Sequence, residues 1–291
     1  MPGRPIVKGN AAMSLKDMQS QNDHRRIEID KVGVKGIHYP IVVLDKTNKV
    51  QHTVATINMY VSLPHHFKGT HMSRFIEVLN AYRHGISTQN IAEILIKIKE
   101  KLKSESAHIE IFFPFFIEKK APVTGAASLM EYTCHLIGSH REKLDLIVGV
   151  ETPVTTLCPC SREISNYGAH NQRSLVRVQG RFKKFFWIED LIALIESAAV
   201  NEIYPLLKRP DEKFVTEKAY DNPMFVEDIV RSVAARLELD ANVTWYMIES
   251  ENYESIHNHS AYALVEKAAP DGAAALPAPS LGQHFSCCKS T

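Results

Sequence analysis

Two spacings of apolar residues recur between residues 37 and 267. Segments rich in β-branched and aromatic residues, bounded by polar turns, predict β-strands. They are residues 37–45, 52–64, 107–119, 128–141, 144–154, 173–182, 242–251 and 260–267. Segments with apolar residues three and four positions apart predict amphipathic helices. They are residues 73–82, 88–102, 187–199 and 222–239. In chain order these elements read ββααββ, twice.

The repeated order predicts two structural units, residues 37–141 and residues 142–267. The halves share no residue-level identity, so the repeat is one of architecture only. Each unit would form an antiparallel sheet with helices on one face, which is an α+β fold. Open strand edges favour pairing with other subunits, so we expect an oligomeric barrel. We expect a flexible lead-in over residues 1–36 and a flexible, Ala- and Pro-rich tail over residues 268–291.

The composition argues against several classes of partner. Lys and Arg total 34 against 33 Asp and Glu, which leaves no basic surface of the kind that binds nucleic acid. No run of about 18 apolar residues is present to span a membrane, and the start lacks the apolar segment of a secretory signal. The five cysteines are too few for a disulfide framework, and their odd number favours a reducing compartment. We therefore expect a cytoplasmic protein.

The connection TLCPCSREISNYGAH, residues 156–170, contains the first candidate site. Catalytic metal sites typically use three protein ligands drawn from Cys, His, Asp and Glu, and this loop offers Cys158, Cys160 and His170. A loop of this length inside a compact domain is usually functional or disordered. The C-P-C spacing differs from the C-x-x-C of structural zinc sites. On spacing alone, a metal site and an ordinary turn with a buried cysteine both remain open.

A second cluster lies in ENYESIHNHSAYA, residues 251–263. Glu251, Glu254, His257 and His259 crowd one connection between two predicted strands, and the two histidines share a face if the chain there is extended. A carboxylate beside a histidine can orient the ring for acid–base chemistry near neutral pH. The alternative is a solvated loop, but the density of ionisable groups favours function.

Two weaker candidates lie in the segment that joins the helices of the second unit, residues 208–228. Glu212 is a possible further metal ligand, and Glu227 falls within the first turns of a helix. Each is also explained as an ordinary surface or helix-start carboxylate. We therefore treat both residues as candidates that need support from elsewhere.

The segment GTHMSRF, residues 69–75, places His71 and Arg74 at the start of a predicted helix. Backbone N–H groups at such a position, together with an arginine, can hold a phosphate. A helix N-cap at Ser73 explains the same segment almost as well. Phosphate binding here is therefore a hypothesis.

Four segments, taken together, resemble GTP cyclohydrolase of type IB. They are HMSRF, LCPCSREISNYGAHNQRS, RPDEKFVTEKAYDNPMFVEDIVR and ESIHNHSAYA. The likeness runs from about residue 30 to residue 267. The resemblance implies a tunnelling fold with two ββααββ units per chain and a homotetramer with active sites at subunit interfaces. It also implies conversion of GTP and water to 7,8-dihydroneopterin triphosphate and formate, the first step of folate synthesis, with queuosine synthesis as a further use of the product.

The resemblance further implies roles for particular residues. One divalent ion, manganese, iron or zinc, would be held by Cys158, His170 and Glu212. Glu227 would grip the purine, and His257 with Glu254 would transfer protons. The weaker candidates for contacts with the substrate are His71, Arg74, Arg173 and His259.

Two alternatives stand beside this interpretation. A nitrile reductase of the same fold would use Cys158 as a covalent nucleophile and would need neither His170 nor Glu212. A non-catalytic metal-binding oligomer would need no carboxylate to grip a purine. The presence of all three prospective ligands favours the cyclohydrolase interpretation over the nucleophile.

Overall fold

The computed structural model describes residue 19 and residues 21–82, 85–199 and 201–268. The strands are β1 (Ile29–Asp45), β2 (Lys49–Leu63), β3 (Ala107–Lys120), β4 (Ala127–His140), β5 (Leu144–Leu157), β6 (Asn171–Phe182), β7 (Val243–Tyr253) and β8 (Ala261–Ala268). The helices are α1 (Met72–Ala81), α2 (Ile91–Leu102), α3 (Pro159–Ile164), α4 (Ile188–Ala199), α5 (Arg209–Asp221) and α6 (Val226–Leu237). No helix in these ranges is both long enough and apolar enough to cross a membrane.

All the strands belong to one antiparallel sheet, in which they lie in the order of the chain from β1 to β8. The two predicted units are joined within this sheet, because β4 pairs with β5 and Thr133 lies opposite Glu151. The helices cover one side of the sheet. The predicted α+β class, with antiparallel strands and helices on one face, is confirmed.

The main core lies between the sheet and the helices. Alternate residues of β3, among them Ile109, Ile111 and Phe115, are fully buried because successive side chains of a strand point to opposite faces. Apolar residues of the helices, such as Leu95 and Ile229, belong to the same buried cluster. Burial of these apolar surfaces is the main force that holds helices and sheet together.

Several element boundaries differ from the sequence predictions. β1 begins at Ile29, within the predicted lead-in, and α5 occupies a segment that was predicted only as a connection. α6 begins at Val226 rather than at residue 222. α1 begins at Met72 with His71 at its N-cap, so the proposed cap at Ser73 is wrong. Residues 1–18 of the lead-in and residues 269–291 of the tail lie outside the described residues.

The connections of the second unit meet at one end of the sheet. We call this the Cys158 end, because β5 ends there at Leu157, immediately before Cys158; β6 begins and β7 ends at the same place. After α4, the backbone N–H of Thr155 donates to the carbonyl of Asn201, at 2.9 Å. Just before α6, the N–H of Met224 donates to the carbonyl of Leu157, at 3.1 Å. α5 therefore lies at the Cys158 end, between α4, which ends there, and α6, which begins there.

Candidate active site

Cys158 and His170 lie side by side at the two ends of one loop. Cys158 is the N-cap of α3, and its backbone N–H donates to the carbonyl of His170, at 3.1 Å. Its Sγ accepts a hydrogen bond from the N–H of Ser161, at 3.4 Å. The backbone contact closes the loop at its base, so two residues that are twelve positions apart in sequence lie next to each other along the backbone.

The ring of His170 is held from one side. Its Nδ1 lies 3.3 Å from Oγ of Ser255 and 4.0 Å from Oε2 of Glu254. The side chains of His170 and Glu254 are only 13% and 14% exposed. Histidines that bind metals commonly donate their second ring N–H to a carboxylate or a similar acceptor. A proton on Nδ1 would leave the lone pair of Nε2 for a metal ion.

The loop after β7 carries the other two histidines of the second cluster. The rings of His257 and His259 stack, with centroids 5.0 Å apart and an angle of 19° between the planes. Both side chains are exposed. The expected pair of Glu254 with His257 is not formed, because Glu254 instead contacts Gln172 and His170. Glu254 therefore lies beside His170, the histidine of the other loop.

α5 brings Glu212 to the Cys158 end. The neighbouring Asp211 accepts hydrogen bonds from the backbone N–H groups of Val123 and Thr124, both at 2.9 Å, in the turn between β3 and β4. Although burial tends to raise the pKa of Asp211, the hydrogen bonds from Thr124, Lys208 and Val123 hold it well below its usual range. The other end of α5 contacts α3. The carboxyl of Asp211 thus fixes where α5 begins.

Glu212 itself is exposed. Within the described ranges, no three His, Cys, Asp or Glu side chains lie close enough together to hold a metal ion. The predicted set of Cys158, His170 and Glu212 is therefore not assembled as a group in the single chain. The adjacent positions of Cys158 and His170 fit two ligands of an ion, since thiolate and imidazole suit zinc and iron.

Glu227 lies in the first turn of α6, and its side chain is exposed. Three residues earlier, Met224 is hydrogen-bonded to the last residue of β5. Asp228 accepts a hydrogen bond from the N–H of Phe225, at 3.0 Å, which fixes the first turn of the helix. Glu227 therefore lies near the start of α6, at the same end of the sheet as Cys158.

The predicted phosphate contacts are divided between the two ends of the sheet. Arg173 is exposed on β6 and lies opposite Thr155 and Tyr253. His71 and Arg74 lie at the opposite end, where Nη1 of Arg74 donates to the carbonyl of Lys101 in the last turn of α2, at 3.3 Å. Within one chain, His71 and Arg74 do not meet the other candidates.

Two residues that contact the site were missed in the sequence. Ser255 lies against His170, and Nε2 of Gln172 donates to Oε1 of Glu254, at 3.4 Å. Both occur inside the quoted segments, but they carry no charge and match no ligand pattern. Their places in sequence, with Gln172 two residues after His170 and Ser255 next to Glu254, were the available signal.

The fold is shared with known proteins of a different activity. A hyper-thermostable uricase mutant superposes with a TM-score of 0.50 over 86% of this chain and 95% of its own, at 9% identity. A uricase from Bacillus fastidious superposes with a TM-score of 0.50 over 82% and 93%, at 6% identity. At such identities the likeness shows the fold alone. This protein is therefore of the tunnelling-fold class.

The sequence comparisons identify the family. The model of type I GTP cyclohydrolase folE2 matches residues 15–263. GTP cyclohydrolase FolE2 of Syntrophus aciditrophicus is 65% identical over 252 residues, which cover 86% of this chain and 99% of the relative. The FolE2 of Geobacter metallireducens is 60% identical over 254 residues, which cover 87% and 97%. The chain belongs to the FolE2 family of GTP cyclohydrolases, and it is an enzyme of folate biosynthesis that acts on GTP.

Membership of this family confirms the resemblance drawn from the four segments. It favours neither the nitrile reductase nor the non-catalytic oligomer. The family is metal-dependent in general. Which residues of this chain bind the metal and the substrate is a separate question, for which the geometry supplies the arguments.

Proposed function

We propose that the Cys158 end of the sheet is the active site at which GTP and water are converted to 7,8-dihydroneopterin triphosphate and formate. The observation that supports this most directly is the arrangement of Cys158, His170 and Glu254. Cys158 and His170 are joined through their backbones, and the carboxylate of Glu254 lies 4.0 Å from Nδ1 of His170. A thiol, an imidazole and a carboxylate beside the imidazole are components found in catalytic metal sites.

The proposed ligands of one divalent ion are Cys158, His170 and Glu212. Such an ion would supply Lewis-acid chemistry and lower the pKa of water at the site. A thiolate favours zinc or iron, whereas a carboxylate also suits manganese, so the donor set does not select one of them. The test of Glu212 is the metal affinity of Glu212→Gln, measured by competition with a chelating dye. An affinity equal to that of the unchanged protein would remove Glu212 from the set.

The remaining residues would bind the base and move protons. Glu227 would accept hydrogen bonds from N1–H and the 2-amino group of guanine, a two-point contact that orients C8. His257 would donate a proton to N7 of guanine as water adds to C8, and His259 stacks against it on the same loop. Glu254 would keep the ring of His170 in place.

We propose that the enzyme is a homotetramer whose active sites lie between subunits. His71, Arg74 and Arg173 would contact the triphosphate, with His71 and Arg74 supplied by a neighbouring subunit. The support is their position at the opposite end of the sheet, together with the open edges of β1 and β8. Subunits carrying Cys158→Ala and subunits carrying Arg74→Ala, unfolded and reassembled together, should regain activity that neither has alone. Mixed tetramers without regained activity would contradict the shared site.

The product would enter folate synthesis, and a supply to queuosine synthesis is a further proposal. We place the enzyme in the cytoplasm. The support is that Cys134, Cys158 and Cys160 are free thiols, which persist in a reducing compartment. The proposed partner is GTP, with neither nucleic acid nor membrane.

The decisive experiment measures formate and neopterin fluorescence from metal-stripped protein given GTP, with manganese, zinc, iron or no metal added. We expect turnover only with a metal, and its loss in Cys158→Ala. Cys160→Ala is the matched control, because Cys160 is an exposed thiol two positions away and should retain turnover. A folded oligomer that is silent with all three metals would refute the proposed reaction. Full turnover by Cys158→Ala would refute the proposed site.

A further inference from the structure

Gln172 is a buried polar residue beside the proposed site. It lies at the start of β6, two residues after His170, and is 7% exposed. The alternation along β6 places it on the same face as Ser174 and Val176, which are fully buried. A long amide side chain in such a place is expected to have hydrogen-bond partners for its donor and its acceptor.

The donor of this amide has one partner. Nε2 of Gln172 donates to Oε1 of Glu254, at 3.4 Å, while Oε2 of the same carboxylate faces Nδ1 of His170, at 4.0 Å. Glu254 is the first residue after β7, where the sheet no longer fixes the chain. The amide therefore connects the loop that follows β7 to the start of β6, next to His170.

The acceptor of the same amide has no hydrogen-bond partner among the described residues. Oε1 of Gln172 is buried and makes no hydrogen bond to any described residue. The NH₂ group of the amide faces Glu254, where a carboxylate oxygen accepts its hydrogen bond. A buried acceptor without a partner lowers stability. The side chain is thus placed for Glu254 at the expense of its own hydrogen bonding, as is common at functional sites.

We propose that Gln172 is a positioning residue of the GTP cyclohydrolase reaction, which acts by holding Glu254 against His170. This inference rests on the proposed function of the Cys158 end. Replacement by an apolar residue would free Glu254 to turn away from His170, and the ring would lose its fixed orientation. Changes to such supporting groups around a metal ligand typically cost about 10- to 100-fold in activity or metal affinity.

The test is steady-state kinetics of Gln172→Leu with saturating metal, together with its melting temperature. We expect kcat to fall about 10- to 100-fold, with KM for GTP within about twofold, since uniform substrate binding is unchanged. We expect the melting temperature to be unchanged or higher, because the leucine removes the buried acceptor. A purely structural glutamine predicts the reverse, a lower melting temperature with unchanged kcat per folded enzyme, and that result would overturn the proposal.

Two further variants sharpen the test. If Gln172 acts through Glu254, Gln172→Leu should lower kcat little further in a Glu254→Gln background. Two independent effects would instead multiply their reductions of kcat, and that result would contradict the proposal. Gln179→Leu is the matched control, because Gln179 is another fully buried glutamine of β6 whose amide has no partner in the described part of the chain. It should retain wild-type kcat. If wild-type protein fails to turn over GTP, the proposed function itself falls; if it is active and Gln172→Leu equals it, only the inference falls.

Discussion

A buried histidine of β4, His135, gives a quantitative prediction about stability. His135 of β4 is 1% exposed, and its ring lies over Gly149 of β5. Burial lowers the pKa of His135 from 6.5 to about 4. Nε2 of His135 has no hydrogen-bond partner among the described residues, so no hydrogen bond at this nitrogen compensates for a charge on the ring. The folded protein therefore keeps this histidine neutral under conditions in which the unfolded chain protonates it.

The size of the effect follows from the two pKa values. A difference of about 2.5 in pKa corresponds to about 3 kcal/mol at 1.36 kcal/mol for each unit. Because the folded pKa is lower than the unfolded one, the unfolded state binds the extra proton and stability falls as the pH decreases. The loss begins near pH 6.5 and is complete near pH 4. At pH 5 it amounts to about 2 kcal/mol.

The measurement is urea unfolding of the wild type and of His135→Gln at pH 8, 7, 6 and 5, at one fixed protein concentration because assembly contributes to stability. The substitution has a packing cost that does not depend on pH. We expect the difference in unfolding free energy between the two proteins to decrease by about 2 kcal/mol between pH 8 and pH 5. Parallel curves over this range would refute the idea that His135 is buried in its neutral form.

Three other substitutions test the packing around the sheet and α5. Gly149→Ala would place a methyl carbon against Nε2 of His135. Urea unfolding should therefore show a loss of about 1–3 kcal/mol in unfolding free energy, and this loss should be smaller in a His135→Ala background. Equal losses in both backgrounds would contradict the contact. Lys119 lies 2.6 Å from Glu196, with only 9% and 12% of their side chains exposed. Lys119→Met should therefore cost about 3–5 kcal/mol of unfolding free energy, and a cost near zero would refute a buried ion pair. The pKa of Asp211 is held below its usual range, so thermal melts should show Asp211→Asn less stable than wild type at pH 7. The difference should begin to shrink as the pH falls below about 4, where the unfolded carboxyl protonates, and should be lost only as the pH passes the lowered pKa of the folded protein; a constant difference would contradict this.

Strands and packed helices could be predicted from the sequence because their burial leaves a period. β3 and β4 were placed to within about a residue, since alternate side chains enter the core. The start of β1 was missed for a physical reason. Its first residues are mostly exposed, and the register shifts between Val34 and Ile37, where Gly36 has a positive φ of 74°. A bulge of this kind interrupts the alternation that reveals a strand.

α5 was missed because it buries almost nothing. Its only buried residues are Asp211 and Ala219, so no apolar stripe marks it as a helix. Its signals were of another kind: a proline, Pro210, in the first turn and acidic residues beside it, which are typical of a helix start. A helix of this sort is fixed by its hydrogen bonds to the turn between β3 and β4 rather than by a core.

The candidate site shows the same distinction between features that leave a local sequence pattern and features that depend on tertiary contacts. Residues that chemistry makes conspicuous, such as Cys158, His170 and Glu254, could be selected from the sequence, and Cys158 could be paired with His170, but the partner of Glu254 could not be predicted. Glu254 was expected to orient His257, three positions away, and instead it faces His170, 84 positions earlier. That pairing arises because β6 begins and β7 ends at the same end of the sheet, a relation that depends on strand order and register rather than on local spacing. The neutral residues that support the site are further removed from sequence patterns, since an amide such as Gln172 becomes significant only when its donor is seen to meet Glu254.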